Sequence, residues 1–421
     1  MPERSAASIG LSASPSPTAL ISTIQPSSGG VAGKLRWIVA ELQELGITPL
    51  LAWYEPWSVT PSLSIPLHRL GHAIIRGSQP RQQACTIWHD VQGVGIGCWL
   101  PELEFTHYQP NRHWSQLIRG AQLHLAVTGN PLCAHRFLAS GLPFLAWIGT
   151  PWHGDRIDRV REFPRHRRVL DAVVNSPVLR HQELQVLRAP QGRLLTISRN
   201  TAREFEQIAN RPVAGVLYAP PDPKLFRPAL SARVPWRIGF SGRYSDPRKQ
   251  LRLLLDAIAI LIRQGHPIEL ELTGEKDGQR LIFTDLAARG LLPHVRCHPY
   301  LQPVELASVL QQWDLFVIPS HQEGLCIAAL EAMACGVPVV STRCGGPEDF
   351  VIPGETGALV PHDSAAMAAA IARICSDPPL RQRLSQGSQA WIRAHADASE
   401  ARRRFRHHLR AIYPHLVIPH A

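Results

Sequence analysis

Short apolar runs rich in Val, Ile and Leu alternate with helix-periodic segments along almost the whole chain. That alternation restricts it to parallel sheets joined by crossover helices. TALISTIQP (18–26) reads as a first strand, followed by the loop SSGGVAGK, the amphipathic helix LRWIVAELQEL stopped by Gly46, and the strand PLLAWY (49–54). Further strands are expected at CTIWH (85–89), LHLAVT (123–128), PFLAWIG (143–149) and LLTIS (194–198). A second series opens at WRIGFSG (236–242) and runs through the helix LRLLLDAIAILIRQG and the strands IELELTG, VRCHPY and DLFVIPS. A helix over about 325–335, the strand VPVVST, the helix AAMAAAIARIC and an arginine-rich helix near 398–411 complete it. Between the two series YAPPDPKLFRP is proline-dense and polar, as an interdomain linker should be. The chain thus divides into two α/β halves joined at about 220–230, with a cleft between them. The expected boundaries are a flexible extension over 1–17, a first domain over 18–222, a second over 223–397, and a C-terminal helix over 398–421 that crosses back to the first.

The segment SHQEGLCIAALEAMACGVPVVSTRCGGPEDF carries two glutamates eight residues apart, Glu323 and Glu331. The helix that contains Glu331 is apolar nearly all round, which places it in an interior. A carboxylate there costs several kcal/mol unless something hydrogen-bonds it. Glu323 lies at the helix start, where the dipole favours negative charge. Eight residues of helical rise separate the pair by roughly 12 Å along the axis, against about 5 to 10 Å between the carboxylates of a glycoside hydrolase. The pair is set to hold two parts of one long ligand; the plainer reading is a dipole-compensating Glu323 and a Glu331 satisfied by backbone or water.

Composition excludes several classes. Eight scattered cysteines form no C-x-x-C pair, which argues for free thiols in a reducing cytoplasm and against structural zinc. No apolar run approaches the length needed to span a bilayer, and the Ser/Pro/Ala-rich N-terminus lacks the hydrophobic stretch of a signal peptide. The net charge is +11, concentrated in the first 228 residues, where 23 Lys+Arg face 15 Asp+Glu. Its densest cluster, Arg156, Arg159, Arg161, Arg165, Arg167 and Arg168, suits an anionic membrane surface or a phosphorylated acceptor, or is simply a solvated basic face. Nucleic acid is disfavoured because no aromatic residues interleave with the basic ones. The expected location is the cytoplasm, with contact at the inner face of the membrane.

Three further motifs carry chemistry. GFSGRYSDPRK puts Arg243, Arg248 and Lys249 where a strand hands over to a helix, and strand carboxyl ends are where open α/β sheets bind ligands. Ser28, Gly29 and Gly30 follow the first strand and open a helix, so the backbone can approach a phosphate closely. CGGPEDF (344–350) is a second Gly-Gly, readable as a ligand-facing loop or a plain turn.

These residues carry a resemblance. The stretch from about 236 to 395 resembles the nucleotide-sugar-binding half of the GT-B-fold glycosyltransferases of family 4, the "glycosyl transferases group 1" set. The signals are the basic residues before a helix, the Glu-(seven residues)-Glu segment, GGPEDFV and PGETGALV. SGGVAGKLRWIVAEL resembles the family's glycine-rich first loop, and PWHGD its active-site histidine segment. Residues 55–145 depart from the family pattern.

The resemblance implies two Rossmann-like domains facing across a deep cleft, and a retaining transfer of a hexose from a UDP- or GDP-sugar to an acceptor hydroxyl. Arg243 and Lys249 would neutralise the donor diphosphate, with Arg248 able to substitute because the spacing has one extra residue. Glu323 would bind the hydroxyls of the transferred sugar. The segment Gly324, Leu325, Cys326 and Ile327 would meet sugar and phosphate at the helix N-terminus, and Glu331 would hold the ribose. Gly29 and Gly30 would approach the diphosphate, and His153 would sit beside the sugar. No D-x-D stands in a plausible loop, so no metal or other cofactor is required. The acceptor stays open: lipid-linked saccharide, lipid, small polyol or protein. Two rivals keep the fold, a sugar-nucleotide epimerase or phosphorylase and a catalytically silent sugar-nucleotide-binding subunit.

Overall fold

The computed structural model describes residues 16–26, 29–88, 90–228, 236–275 and 277–416. Ser28, His89, Lys276, most of the N-terminal extension and residues 229–235 of the linker lie outside them. The first half contains strands β1 (Thr18–Thr23), β2 (Thr48–Tyr54), β3 (Gln82–Ile87), β4 (Val91–Ile96), β5 (Leu123–Thr128), β6 (Phe144–Ile148), β7 (Gly192–Thr196) and β8 (Gly215–Val216). They form one sheet in the order β3-β4-β2-β1-β5-β6-β7-β8. The second half contains β9 (Arg237–Ser241), β10 (Glu269–Thr273), β11 (Val295–Cys297), β12 (Leu315–Ile318), β13 (Val339–Thr342) and β14 (Gly357–Val360). These form a second sheet, β11-β10-β9-β12-β13-β14. Every described pairing is parallel except β3 with β4. Two largely parallel sheets, one in each half, are what the resemblance implies.

The central strands read as unbroken apolar runs because both faces are covered; all six residues of β5 are buried. At the edge, β3 is exposed along five of its six residues and could reverse direction without uncovering a core. Sequence periodicity places this strand at 85–89; it runs three residues earlier. It misses β4, the two-residue β8 and β14, each of which contains glycine that blurs the strand pattern. The first helix spans Gly29–Glu44, so much of the expected loop SSGGVAGK is helical from Gly29 onward. The helix Pro378–His395 also carries no sequence reading above; it opens at a proline capped by Asp377.

In each sheet the strand order reverses at one point, between β1 and β5 and between β9 and β12. Ligand crevices form outside the carboxyl ends of strands at such points. There the halves meet. A β-carbon on Gly324, after β12, would stand 2.3 Å from the carbonyl oxygen of Gly149, after β6. One on Gly30 would come 3.3 Å from Ile327 Cδ1.

Outside that seam the halves are tied twice more. Asp349 of the GGPEDF segment accepts from the Arg199 amide at 2.5 Å and from the Tyr218 hydroxyl at 3.2 Å. The helix Ala398–Ile412 lies against the first half: Arg402 Nε meets Glu41 at 2.8 Å, and the Tyr413 hydroxyl donates to the Pro143 carbonyl at 2.9 Å. Phe405 packs edge-on to Trp37. The proline-dense stretch is anchored rather than free, since Tyr218 and Phe226 are buried.

Candidate active site

Helix Ile327–Ala334 is built from Ala, Leu, Ile, Met and one Glu, mostly strong helix formers, and Gly336 at φ +73 closes it. Its start is set by Cys326 in the left-handed region at φ +69. Among the described residues the amides of Gly324, Leu325 and Cys326 donate to no hydrogen-bond acceptor. Such orphan donors at a helix N-terminus favour an anion.

Glu323 does not lie on this helix. It sits four residues ahead of it, in a loop pinned by its amide to the Cys344 carbonyl at 2.7 Å and by its own carbonyl to the Gly346 amide at 2.9 Å. The rise of an eight-residue helix therefore does not describe the separation of the two glutamates. Glu323 is 4% exposed and its carboxylate is fully engaged. Lys249 Nζ and Ser320 Oγ each donate to Oε1 at 2.6 Å, and Arg248 Nη1 stands 3.7 Å from Oε2. Burial alone would raise this carboxyl, but the charges of Lys249 and Arg248 outweigh it and hold it below its ordinary value.

The three basic residues divide. Lys249 and Arg248 converge on Glu323; Arg248 also donates to the Gln322 carbonyl at 2.9 Å and stands 3.6 Å from Asp246. Arg243, 57% exposed, meets only Asp246 at 3.6 Å among the described ion pairs. Both Arg243 and Lys249 leave the carboxyl end of β9, one in the turn after it and one in the short helical turn Pro247–Lys249.

Glu331 is half-buried on its helix, and among the described residues no hydrogen bond or ion pair engages it. Burial pushes its carboxyl up to about 7, with the charge of Arg36 from the first half pulling it back. This is not a carboxylate satisfied by backbone. It is a costly group held in readiness beside the seam.

The first half contributes helix Trp152–Arg161, which follows β6. His153, in its first turn, is exposed; partial burial and then the charges of Arg180 and Arg156 lower its pKa. The Trp152 amide is capped by Glu183 Oε1 at 2.7 Å, and burial raises that carboxyl to about 7. The neighbours of His153 reach the loop before Glu323: Gly154 lies against Gln322, and Asp155 faces Arg248 at 3.9 Å. The basic cluster that sequence groups together is split. Arg156 is buried against Glu104 and Asp171, whereas Arg165, Arg167 and Arg168 are exposed.

Sequence motifs did not flag Ser320, Gln322, Glu183 or Arg36; the last three act on partners dozens to hundreds of residues away, while Ser320 reaches Glu323 only three residues on. Among the described residues no three His, Cys, Asp or Glu side chains gather as metal ligands would, and no helix is long and apolar enough to cross a membrane.

Residues 205–391 match the model of the family described as glycosyl transferases group 1. The D-inositol 3-phosphate glycosyltransferase of Thermobispora bispora is 34% identical over 217 residues, 47% of this chain and 50% of that protein. The chain thus spans about half the length of the curated relatives it matches. The solved sucrose-phosphate synthase of Thermosynechococcus elongatus superposes with a TM-score of 0.72 at 19% identity, over 95% of this chain and all of that one. The Anabaena HepE protein, solved with UDP-glucose, gives 0.63 at 17% identity, over 94% and 99%. These two structural likenesses establish the architecture.

Proposed function

We propose, from the match of residues 205–391 to the model of the glycosyl transferases group 1 family, that the chain moves a hexose from a nucleoside-diphosphate sugar to an acceptor hydroxyl with retention at the anomeric carbon. The observation that carries this reading is the pairing of a charge-saturated Glu323 with an unengaged Glu331 on either side of a helix start whose amides lack acceptors. A diphosphate placed at those amides lies between a group for the sugar and a group for the ribose.

In this reading Arg243 and Lys249 carry the diphosphate charge, Arg248 steadies Lys249 and Glu323, and the backbone from Gly324 to Ile327 binds sugar and phosphate. Gly29 and Gly30 bring the first helix close to the same ligand. The bond from the anomeric carbon to the leaving phosphate oxygen breaks as the acceptor oxygen attacks from the same face. The acceptor proton passes to that phosphate oxygen. His153 borders the transferred sugar as a hydrogen-bonding group. No step needs a metal ion, because side-chain cations supply the charge. Closure at the Gly149–Gly324 seam keeps water from consuming the donor. HepE, solved with UDP-glucose, supports a UDP-sugar as the first donor to try; a GDP-sugar uses the same groups. The exposed Arg165, Arg167 and Arg168 suit an acceptor with phosphate or at a membrane surface.

A thermal-shift panel of UDP, GDP, ADP and their sugar conjugates tests this. At one hundred times its Kd a nucleotide stabilises the folded state by about 2.7 kcal/mol. One base series should raise the melting temperature of the wild type and do so far less for Glu331→Gln. No shift with any nucleotide overturns the reading.

A further inference from the structure

We propose that Asp158 and His321 form a positioning pair that docks the His153 helix onto the donor loop when the halves close. The inference rests on the transferase reading above and deepens it. Asp158 lies in the first half and is only 6% exposed, yet its carboxylate meets His321 Nδ1 of the second half at 3.0 Å. His321 is two residues before Glu323, and its own amide donates to the Arg248 carbonyl at 2.9 Å. One helical turn earlier, Asp155 faces Arg248 at 3.9 Å, and Arg248 in turn stands 3.7 Å from Glu323. Residues three apart on a helix share a face. The same face thus presents two carboxylates to two basic residues at the donor loop, and Gly154, the residue before Asp155, lies against Gln322.

The arrangement has the properties a reversible clasp needs. A buried carboxylate is costly unless partnered. Asp158 keeps Arg161 of its own helix at 3.2 Å, so opening breaks only the bond to His321 and strands no charge. Closing adds one directional bond that fixes the rotation of the helix, and with it the position of His153 at the helix start. His321 keeps 46% of its side chain exposed, so it reaches Asp158 without being part of a packed core. Asp158 acts through that helix rather than on the sugar, which makes it a positioning residue.

The test uses the full chain as wild type, H321A, H321N, D158A and D158A/H321A, with the nucleotide sugar that stabilises wild type most. Turnover is followed to an acceptor, or to water until one is found. H321A and D158A should each lower kcat roughly tenfold with the donor KM within about twofold. The double variant should be no worse than the worse single one. H321N, whose amide nitrogen stands close to the place of Nδ1, should recover most of the rate. Small-angle scattering should show a larger radius of gyration for H321A and D158A than for wild type, with nucleotide and without. Wild-type turnover and scattering in both single variants overturn the pair, as do additive losses in the double. If no nucleotide binds even the wild type, the transferase reading fails, and the scattering comparison still decides whether the pair holds the halves together.

Discussion

Lys249 Nζ donates to Glu323 Oε1 at 2.6 Å, although the two residues are 74 positions apart and belong to different loops of the second sheet. The contact joins the end of β9 to the end of β12, the strands that flank the switch point. In the proposed function, a diphosphate bound there would meet a lysine already oriented by a carboxylate, so little side-chain freedom would be lost on binding.

Removing either partner should separate stability from chemistry. Lys249→Met leaves a nearly buried carboxylate with Arg248 at 3.7 Å as its remaining charge partner. It should destabilise by about 3 kcal/mol in urea titrations. Glu323→Gln should cost less stability and lower transfer by about a hundredfold or more. The depressed carboxyl of Glu323 contributes stability that is present above its ordinary value of 4.5 and lost as pH falls through the lower folded value. Glu323→Gln should therefore flatten the acid limb of a stability–pH curve below about pH 4.5.

Glu331 behaves in the opposite sense. Its folded pKa of about 7 lies above the ordinary 4.5, so the folded state holds the proton more tightly. Without ligand, its contribution is most favourable below pH 4.5 and is lost as pH rises through 7. Glu331→Gln should be more stable than wild type at pH 8 by on the order of 1 kcal/mol, with the difference vanishing near pH 4.5. A ribose that hydrogen-bonds the ionised carboxylate should expel a proton on nucleotide binding near pH 6.5. Calorimetry in buffers of different ionisation enthalpy reads that proton, and its absence would remove Glu331 from the ribose.

Two glycines at the seam should differ in their tolerance of alanine. The β-carbon of Gly324→Ala would press on the Gly149 carbonyl oxygen at 2.3 Å and Thr150 Cγ2 at 2.6 Å, and backbone cannot turn aside. Closure and turnover should be lost while each half stays folded, as read by scattering and circular dichroism. Gly30→Ala meets only the end of the Ile327 side chain at 3.3 Å, which can rotate. Its turnover should fall by less than about tenfold.

Arg243 separates a ligand role from a structural one. With an exposed side chain and a single 3.6 Å pairing to Asp246, Arg243→Ala should change stability by less than about 0.5 kcal/mol. If Arg243 neutralises the diphosphate, the same variant should weaken nucleoside-diphosphate binding about tenfold while leaving nucleoside binding unchanged, measured by titration calorimetry.

Much of the fold was legible because its signals are local. The apolar runs at 123–128 and 315–318 are strands, since a strand buried on both faces must be apolar throughout. The weaker signals failed where locality failed. The exposed β3 carries no apolar pattern because neither of its faces is covered, and Arg156 reads as part of a surface cluster because Glu104 and Asp171, which bury it, are distant in the chain.

By itself the sequence determined that two largely parallel-sheet halves form, that a helix follows Glu323 within a few residues, and that Arg243 and Lys249 follow a strand end. Hydrophobic periodicity, capping and spacing act within a few residues, so the local order of residues expresses them. Only the tertiary structure decided that Lys249 and Arg248 saturate Glu323 while Glu331 stays unengaged, that Gly324 touches Gly149, and that Asp158 reaches His321. Those relations depend on how distant loops are brought together as two sheets close. Charge and burial at such a seam follow from three-dimensional proximity, which the order of residues along the chain does not encode locally.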